Sequence, residues 1–111
     1  MSFTIKDMTI RDEYNRQRIF KGVNICFKGR ENQHEIYEFF DKFENDKNFR
    51  DEQYDMLTSN GVNLIRLGFT WAMLEPKKNQ FDEKIISYLK LFVDECQKRN
   101  IYIVLDLHQD L

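Results

Sequence analysis

The segment 101–111, Ile-Tyr-Ile-Val-Leu-Asp-Leu-His-Gln-Asp-Leu, constrains the fold more than any other stretch. Seven mostly apolar residues, rich in branched side chains, run from Ile101 to Leu107 straight into His108, Gln109 and Asp110. A near-continuous apolar run suits a strand covered on both faces, as in a parallel sheet layered with helices. Polar side chains at the C-terminal end of such a strand stand where barrel and doubly wound enzymes keep their chemistry. A polar cluster there also suits an ordinary solvated loop, so spacing alone leaves both readings open.

The rest of the chain alternates in the same sense. Short apolar-containing runs at 4–10 and 18–20 flank the polar stretch 11–17, where Asp12 and Asn15 are turn formers, and predict a β-hairpin. A first core strand is expected at about 20–26, with Gly22 marking a bend or a close backbone approach. Residues 28–48 read as a long polar loop. Inside it Ile36, Phe39, Phe40 and Phe43 recur at helical spacing over 34–43, a face that either packs on the body or walls a substrate site. A helix over 51–60 ends at Asn60-Gly61. A second strand follows at 62–69, with Arg66 inside it. A guanidinium in a buried strand needs a carboxylate, either a structural partner or an acidic site. Residues 70–81 read as a loop carrying Trp71, Glu75 and Pro76. Asp82 then caps a helix over 83–99 with Ile85, Ile86, Leu89, Phe92, Val93 and Cys96 on one face, and Asn100 takes the left-handed position after it. Hairpin, strand, helix, strand, helix, strand implies βαβ units and a parallel sheet.

Composition removes several classes of function. The 111 residues are 41% hydrophobic, with 10 Phe and 5 Tyr, which is enough apolar mass for a core. With 17 basic and 19 acidic residues the net charge is -2, no basic patch dominates, and no nucleic acid partner is expected. Cys26 and Cys96 are far apart and in no metal-like spacing, so two reduced, packed thiols are expected rather than a disulfide. No run approaches a transmembrane segment, and no basic-then-apolar signal pattern opens the chain.

Three segments together carry a family resemblance. They are Lys21-Gly22-Val23-Asn24, then Gly61-Val62-Asn63-Leu64-Ile65-Arg66-Leu67-Gly68-Phe69-Thr70-Trp71 through Leu74-Glu75-Pro76, and Ile103-Val104-Leu105-Asp106-Leu107-His108-Gln109-Asp110-Leu111. In order and approximate spacing they resemble the opening of a glycoside hydrolase family 5 catalytic domain, most similar to the endoglycoceramidase branch. The resemblance implies a (β/α)8 TIM barrel, which takes roughly 250 residues. Residues 1–111 would be its N-terminal portion, an incomplete barrel with the first three strands, two intervening helices and a preceding hairpin that closes the floor. It also implies a retaining hydrolase of glycosphingolipids or related β-glycosides, with two carboxylates about 5 Å apart. Both glutamates belong to the ends of the fourth and seventh strands and would fall beyond Leu111, so this chain alone is expected to be inactive.

By the same resemblance, Arg66 matches the arginine that orients the nucleophile carboxylate, and a planar fork suits that task. His108 and Asp110 match a pair that binds sugar hydroxyls, and Lys28 matches a lysine reaching the same sugar. Trp71 stands at the site edge, either as a stacking face or as a packed anchor. Glu75-Pro76 reads as loop architecture, and Asp106 as a residue with a structural partner inside the barrel. No cofactor or metal is expected, the substrate is a glycolipid or oligosaccharide, and the family implies a secreted or lysosomal enzyme. A β-glucanase or β-glucosidase of the same family is the nearest alternative. Two further readings differ in kind. Asp106, His108 and Asp110 share a strand face and could hold a metal, and a non-catalytic α/β binding domain could self-associate through its exposed sheet edges.

Overall fold

The computed structural model describes residues 2–28 and 33–108. Two short strands, β1 (Phe3–Lys6) and β2 (Thr9–Asp12), pair antiparallel with Lys6 opposite Thr9. The reversal falls on Asp7 and Met8, both at positive φ (51° and 61°), so this is a two-residue hairpin turn. The sequence reading placed the reversal at 11–17. That segment is instead a second turn: the Asn15 N–H donates to the Asp12 carbonyl, Asn15 has φ 60°, and the chain returns so that the Arg18 N–H reaches Ile10 O at 2.7 Å. The Asp12 carboxylate is fully covered and organises this turn. It accepts from the N–H groups of Tyr14 and Arg16 at 2.9 and 3.0 Å and from Arg16 Nε at 2.8 Å.

The body of the fold is a three-stranded parallel sheet in the order β3 (Gly22–Phe27), β4 (Leu64–Phe69), β5 (Tyr102–Leu107). Between β3 and β4 lie two helices, α1 (Gln33–Asn45) and α2 (Lys47–Ser59), separated only by Asp46. Asp46 caps α2 by accepting from the Phe49 N–H at 3.0 Å, which starts that helix four residues before the expected 51. The 70–81 segment is not wholly loop. Thr70 caps a single turn, α3 (Trp71–Leu74), and then Asp82 caps α4 (Glu83–Lys98) by accepting from the Ile85 N–H. Arg99 ends α4, and Asn100 at φ 58° takes the left-handed position expected of it.

All the long helices lie on one face of the sheet. Ile65 and Leu67 of β4 are completely buried against Phe40, Phe43, Tyr54, Ile85, Phe92 and Cys96 from the helices. The Phe cluster of α1 is therefore packing and not a substrate wall. Phe40 stacks on Tyr88 with centroids 5.1 Å apart, and Phe43 stacks on Phe92 at 5.8 Å. Each fully buried aromatic or aliphatic side chain of this kind contributes about 1.5–3 kcal/mol. Cys96 belongs to this core while Cys26 is exposed on the other face, so only one of the two free thiols is packed. The hairpin lies beneath the N-terminal ends of the strands. There Phe3, Phe20 and Tyr102 meet edge to face with centroids 5.3–5.7 Å apart.

Candidate functional site

Alternation along the strands decides which side chains can meet. In β4, Ile65, Leu67 and Phe69 point into the helix-covered core, so Arg66 and Gly68 must stand on the opposite face. The parallel register aligns Asn24 with Arg66 and Val104, and Cys26 with Gly68 and Asp106. Lys28 and His108 follow one step further along the same face of their strands. The backbone ladder continues that far, since the His108 N–H donates to Phe69 O at 2.8 Å.

These residues line an open pocket of about 230 Å³ at the C-terminal ends of the strands, with Lys28, Arg66, Asp106 and His108 around it and Cys26 and Gly68 in its floor. Gly68 matters because of the space it leaves. A β-carbon there would approach the Cys26 sulfur to 3.0 Å and would stand inside the pocket. Arg66 Nη2 forms an ion pair with Asp106 Oδ2 at 2.8 Å, and His108 Nδ1 lies 3.3 Å from that same oxygen. About half of the Arg66 side chain stays open to the pocket (51%), against 25% for Asp106 and 39% for His108.

The structure thus brings Lys28, Arg66 and His108 together, and it supplies the partner expected for Asp106, which is Arg66. It sets Trp71 apart. On α3 that indole lines a separate apolar groove with Leu74, Phe81, Ile86 and Leu107. Asp110 lies outside the described residues, as do Gln109 and Leu111. Asn24, Cys26 and Gly68 were not singled out as site residues by the sequence, although period-2 alternation counted back from Lys28 and forward from Arg66 marks all three. Chemically the pocket offers two fixed cations, one carboxylate and an imidazole around an open floor. This is a donor-rich surface with acceptors interspersed, suited to a polyhydroxylated ligand or a second carboxylate.

Comparison with known proteins agrees with this architecture. Residues 19–111 match the family described as cellulase (glycosyl hydrolase family 5). The chain is 32% identical over 100 residues to an endoglycoceramidase of Hydra vulgaris and 29% identical over 100 residues to one of Cyanea nozakii, in each case over 90% of its own length. It is 36% identical over 59 residues, 53% of its length, to endoglycoceramidase I of Rhodococcus hoagii strain 103S. It spans only 18%, 19% and 12% of those three relatives. Among solved structures, an exo-beta-1,4-mannosidase from Opitutaceae bacterium strain TAV5 superposes over 97% of this chain and 18% of its own with a TM-score of 0.68 at 23% identity, a likeness of fold. With the three-stranded parallel sheet, its helix layer and the family match over 19–111, this chain belongs to glycoside hydrolase family 5 as a partial TIM barrel.

Proposed function

We propose that residues 1–111 form the N-terminal portion of a retaining glycoside hydrolase barrel and supply one wall of its active site. The observation that carries the reading is the convergence of Lys28, Arg66 and His108 on one pocket at the C-terminal ends of the strands, the end of a (β/α)8 barrel where chemistry is done. In this reading the open side of the Arg66 fork receives the nucleophile carboxylate and favours its ionised form. His108, Lys28 and Asp110 bind hydroxyls of the sugar beside the scissile bond. The acid/base and nucleophile glutamates, about 5 Å apart in a retaining enzyme, come from the fourth and seventh strands of the complete barrel. The substrate class we propose is a glycosphingolipid, cleaved between its oligosaccharide and its ceramide. The naming of all three relatives as endoglycoceramidases supports this.

The test has two parts. A barrel completed around this segment should release intact oligosaccharide from a glycosylceramide in detergent micelles, and should do so faster than it cleaves a soluble β-1,4-glucan. The reverse preference would move the assignment to a glucanase. The 111-residue chain itself should hydrolyse neither, and measurable turnover by it would overturn the placement of both catalytic carboxylates elsewhere.

A further inference from the structure

We propose that the segment after β4, residues 70–82, is a membrane-docking element that rests on the surface of an anionic lipid bilayer. It seats Trp71 and Phe81 at the level of the headgroups and sets Lys77 and Lys78 against the lipid phosphates. That the bilayer also carries the substrate rests on the glycolipid reading above. The docking itself follows from the segment.

Four observations carry it. First, the segment presents two large aromatic side chains, Trp71 and Phe81, each 55% exposed. They share an apolar groove of about 290 Å³ with Leu74, Ile86 and Leu107. Aromatic rings beside lysines are the side chains that settle at the boundary between headgroups and acyl chains. Second, the lysines form a defined tip. The Gln80 N–H donates to Lys77 O at 2.8 Å, Asn79 has φ 60°, and the Asp82 N–H donates to Leu74 O at 2.7 Å, so residues 75–81 make a closed excursion. Glu75 is half-buried, and Asp82 is turned inward, where it accepts from the Ile85 N–H and the Tyr37 hydroxyl. Lys77 and Lys78 are both exposed and are therefore the outermost charges of the excursion, complementary to anionic headgroups. Third, the excursion is closed by its own hydrogen bonds and contains no strand. A second polypeptide gains no backbone ladder here, in contrast to the edge of β5. Fourth, Leu107 lines the groove, while Asp106 and His108 on either side of it line the pocket. Groove and pocket thus lie on opposite faces of the same strand end. A bilayer held at the groove brings the headgroups of its lipids to the end of the sheet where the pocket opens.

Trp71 is the only tryptophan of the chain, so its emission reports this segment alone. The 111-residue chain, diluted until sedimentation shows a single mass, is mixed with vesicles of phosphatidylcholine alone or of phosphatidylcholine with phosphatidylserine. Neither vesicle contains glycolipid. On the serine-containing vesicles the emission should move to the blue and should be quenched by brominated acyl chains. Lys77→Gln together with Lys78→Gln should weaken that binding about 30-fold, the effect of two lysines at an anionic surface. Phe81→Ser should weaken it about fivefold, the effect of losing a half-exposed phenyl group from the apolar contact. All three side chains are exposed, so the variants should keep the wild-type circular dichroism.

An emission unmoved by either vesicle overturns the proposal. So does a blue shift that brominated lipid fails to quench, which would place Trp71 against protein. A shift of equal size on both vesicles, or one that survives the lysine substitutions, overturns the anionic partner. No glycolipid and no turnover enter these measurements. A completed barrel that cleaves micellar glycolipid while this segment ignores vesicles would keep the hydrolase reading and end this one.

Discussion

At the scale of single residues, Asp12 is a carboxylate that the fold holds well below its ordinary range. Burial pushes its carboxyl pKa up, but the Arg16 N–H, the Arg16 guanidinium and the Tyr14 N–H outweigh that effect and hold it at about 2, below its ordinary 3.8. A depressed folded-state pKa means that the unfolded chain binds the proton first as pH falls. The stability it contributes is therefore complete above about pH 4 and is lost as pH falls toward 2. Urea midpoints of wild type and Asp12→Asn should differ at pH 7 and converge near pH 2, whereas a constant gap would assign the effect to packing. Gly22 acts sterically. A β-carbon there would come within 2.8 Å of Leu64 O, which is strand backbone and cannot rotate away. Gly22→Ala should cost about 1–3 kcal/mol in urea unfolding, the range for overpacking a tight site. The sequence marks Gly22 as a close approach, and Arg66 and Asp106 as charges in need of partners. That each answers the other depends on strand register, which is a long-range property no local pattern contains.

At the scale of elements, α2 and α4 are locked together by polar groups within an apolar layer. Tyr54 of α2 donates to Phe92 O at 3.1 Å and meets the Cys96 sulfur at 3.4 Å, both on α4. Beside them Arg99 joins Asp51 at 2.6 Å and the buried Glu95 at 2.7 Å. Tyr54→Phe keeps the ring and leaves the Phe92 carbonyl with its helical bond only, so a loss of about 1 kcal/mol is expected from chemical unfolding. Burial also pushes the Cys96 thiol up to about 11, against the lowering effect of Tyr54. A thiol so placed is a poor nucleophile at neutral pH, whereas Cys26 opens on the pocket. Disulfide-exchange labelling of native protein should therefore titrate Cys26 first and Cys96 only with unfolding. Equal rates at both would mean that α4 opens locally. The long elements were legible because amphipathic periodicity over a dozen residues is redundant. The hairpin reversal was not, since Met8 at φ 61° carries none of the glycine or asparagine chemistry that announces such a turn. A single turn such as α3 is too short to show a period at all, although its Thr70 cap was present to be read.

At the scale of the whole molecule, the helix layer covers only part of the sheet it packs on. The radius of gyration is 15.9 Å, against about 13 Å for a closed domain of this length. The excess lies in a slab of 44 × 34 × 21 Å whose sheet, among the described residues, has two unpaired edges, β3 and β5. β5 is the more vulnerable. Leu105 and Leu107 belong to the face that β3 and β4 bury under helices, yet they are 61% and 47% exposed, and Val104 on the other face is 49% exposed. Trp71, Phe81 and Ile86 extend this apolar surface beside Leu107. An exposed apolar strand edge pairs with whatever edge it meets, and charge on the strand is the usual deterrent. The 111-residue chain should therefore self-associate through β5, with an average mass in sedimentation that rises with concentration. Replacing Leu105 and Leu107 together with lysine should return it toward monomer without loss of helical signal, because neither side chain belongs to the buried core. The same substitutions in a completed barrel should abolish folding, since there both leucines would enter the layer between sheet and helices. A 111-residue chain that stays monomeric at every concentration would show that β5 is protected by some means other than charge, and would remove the sheet edge as the driver of association.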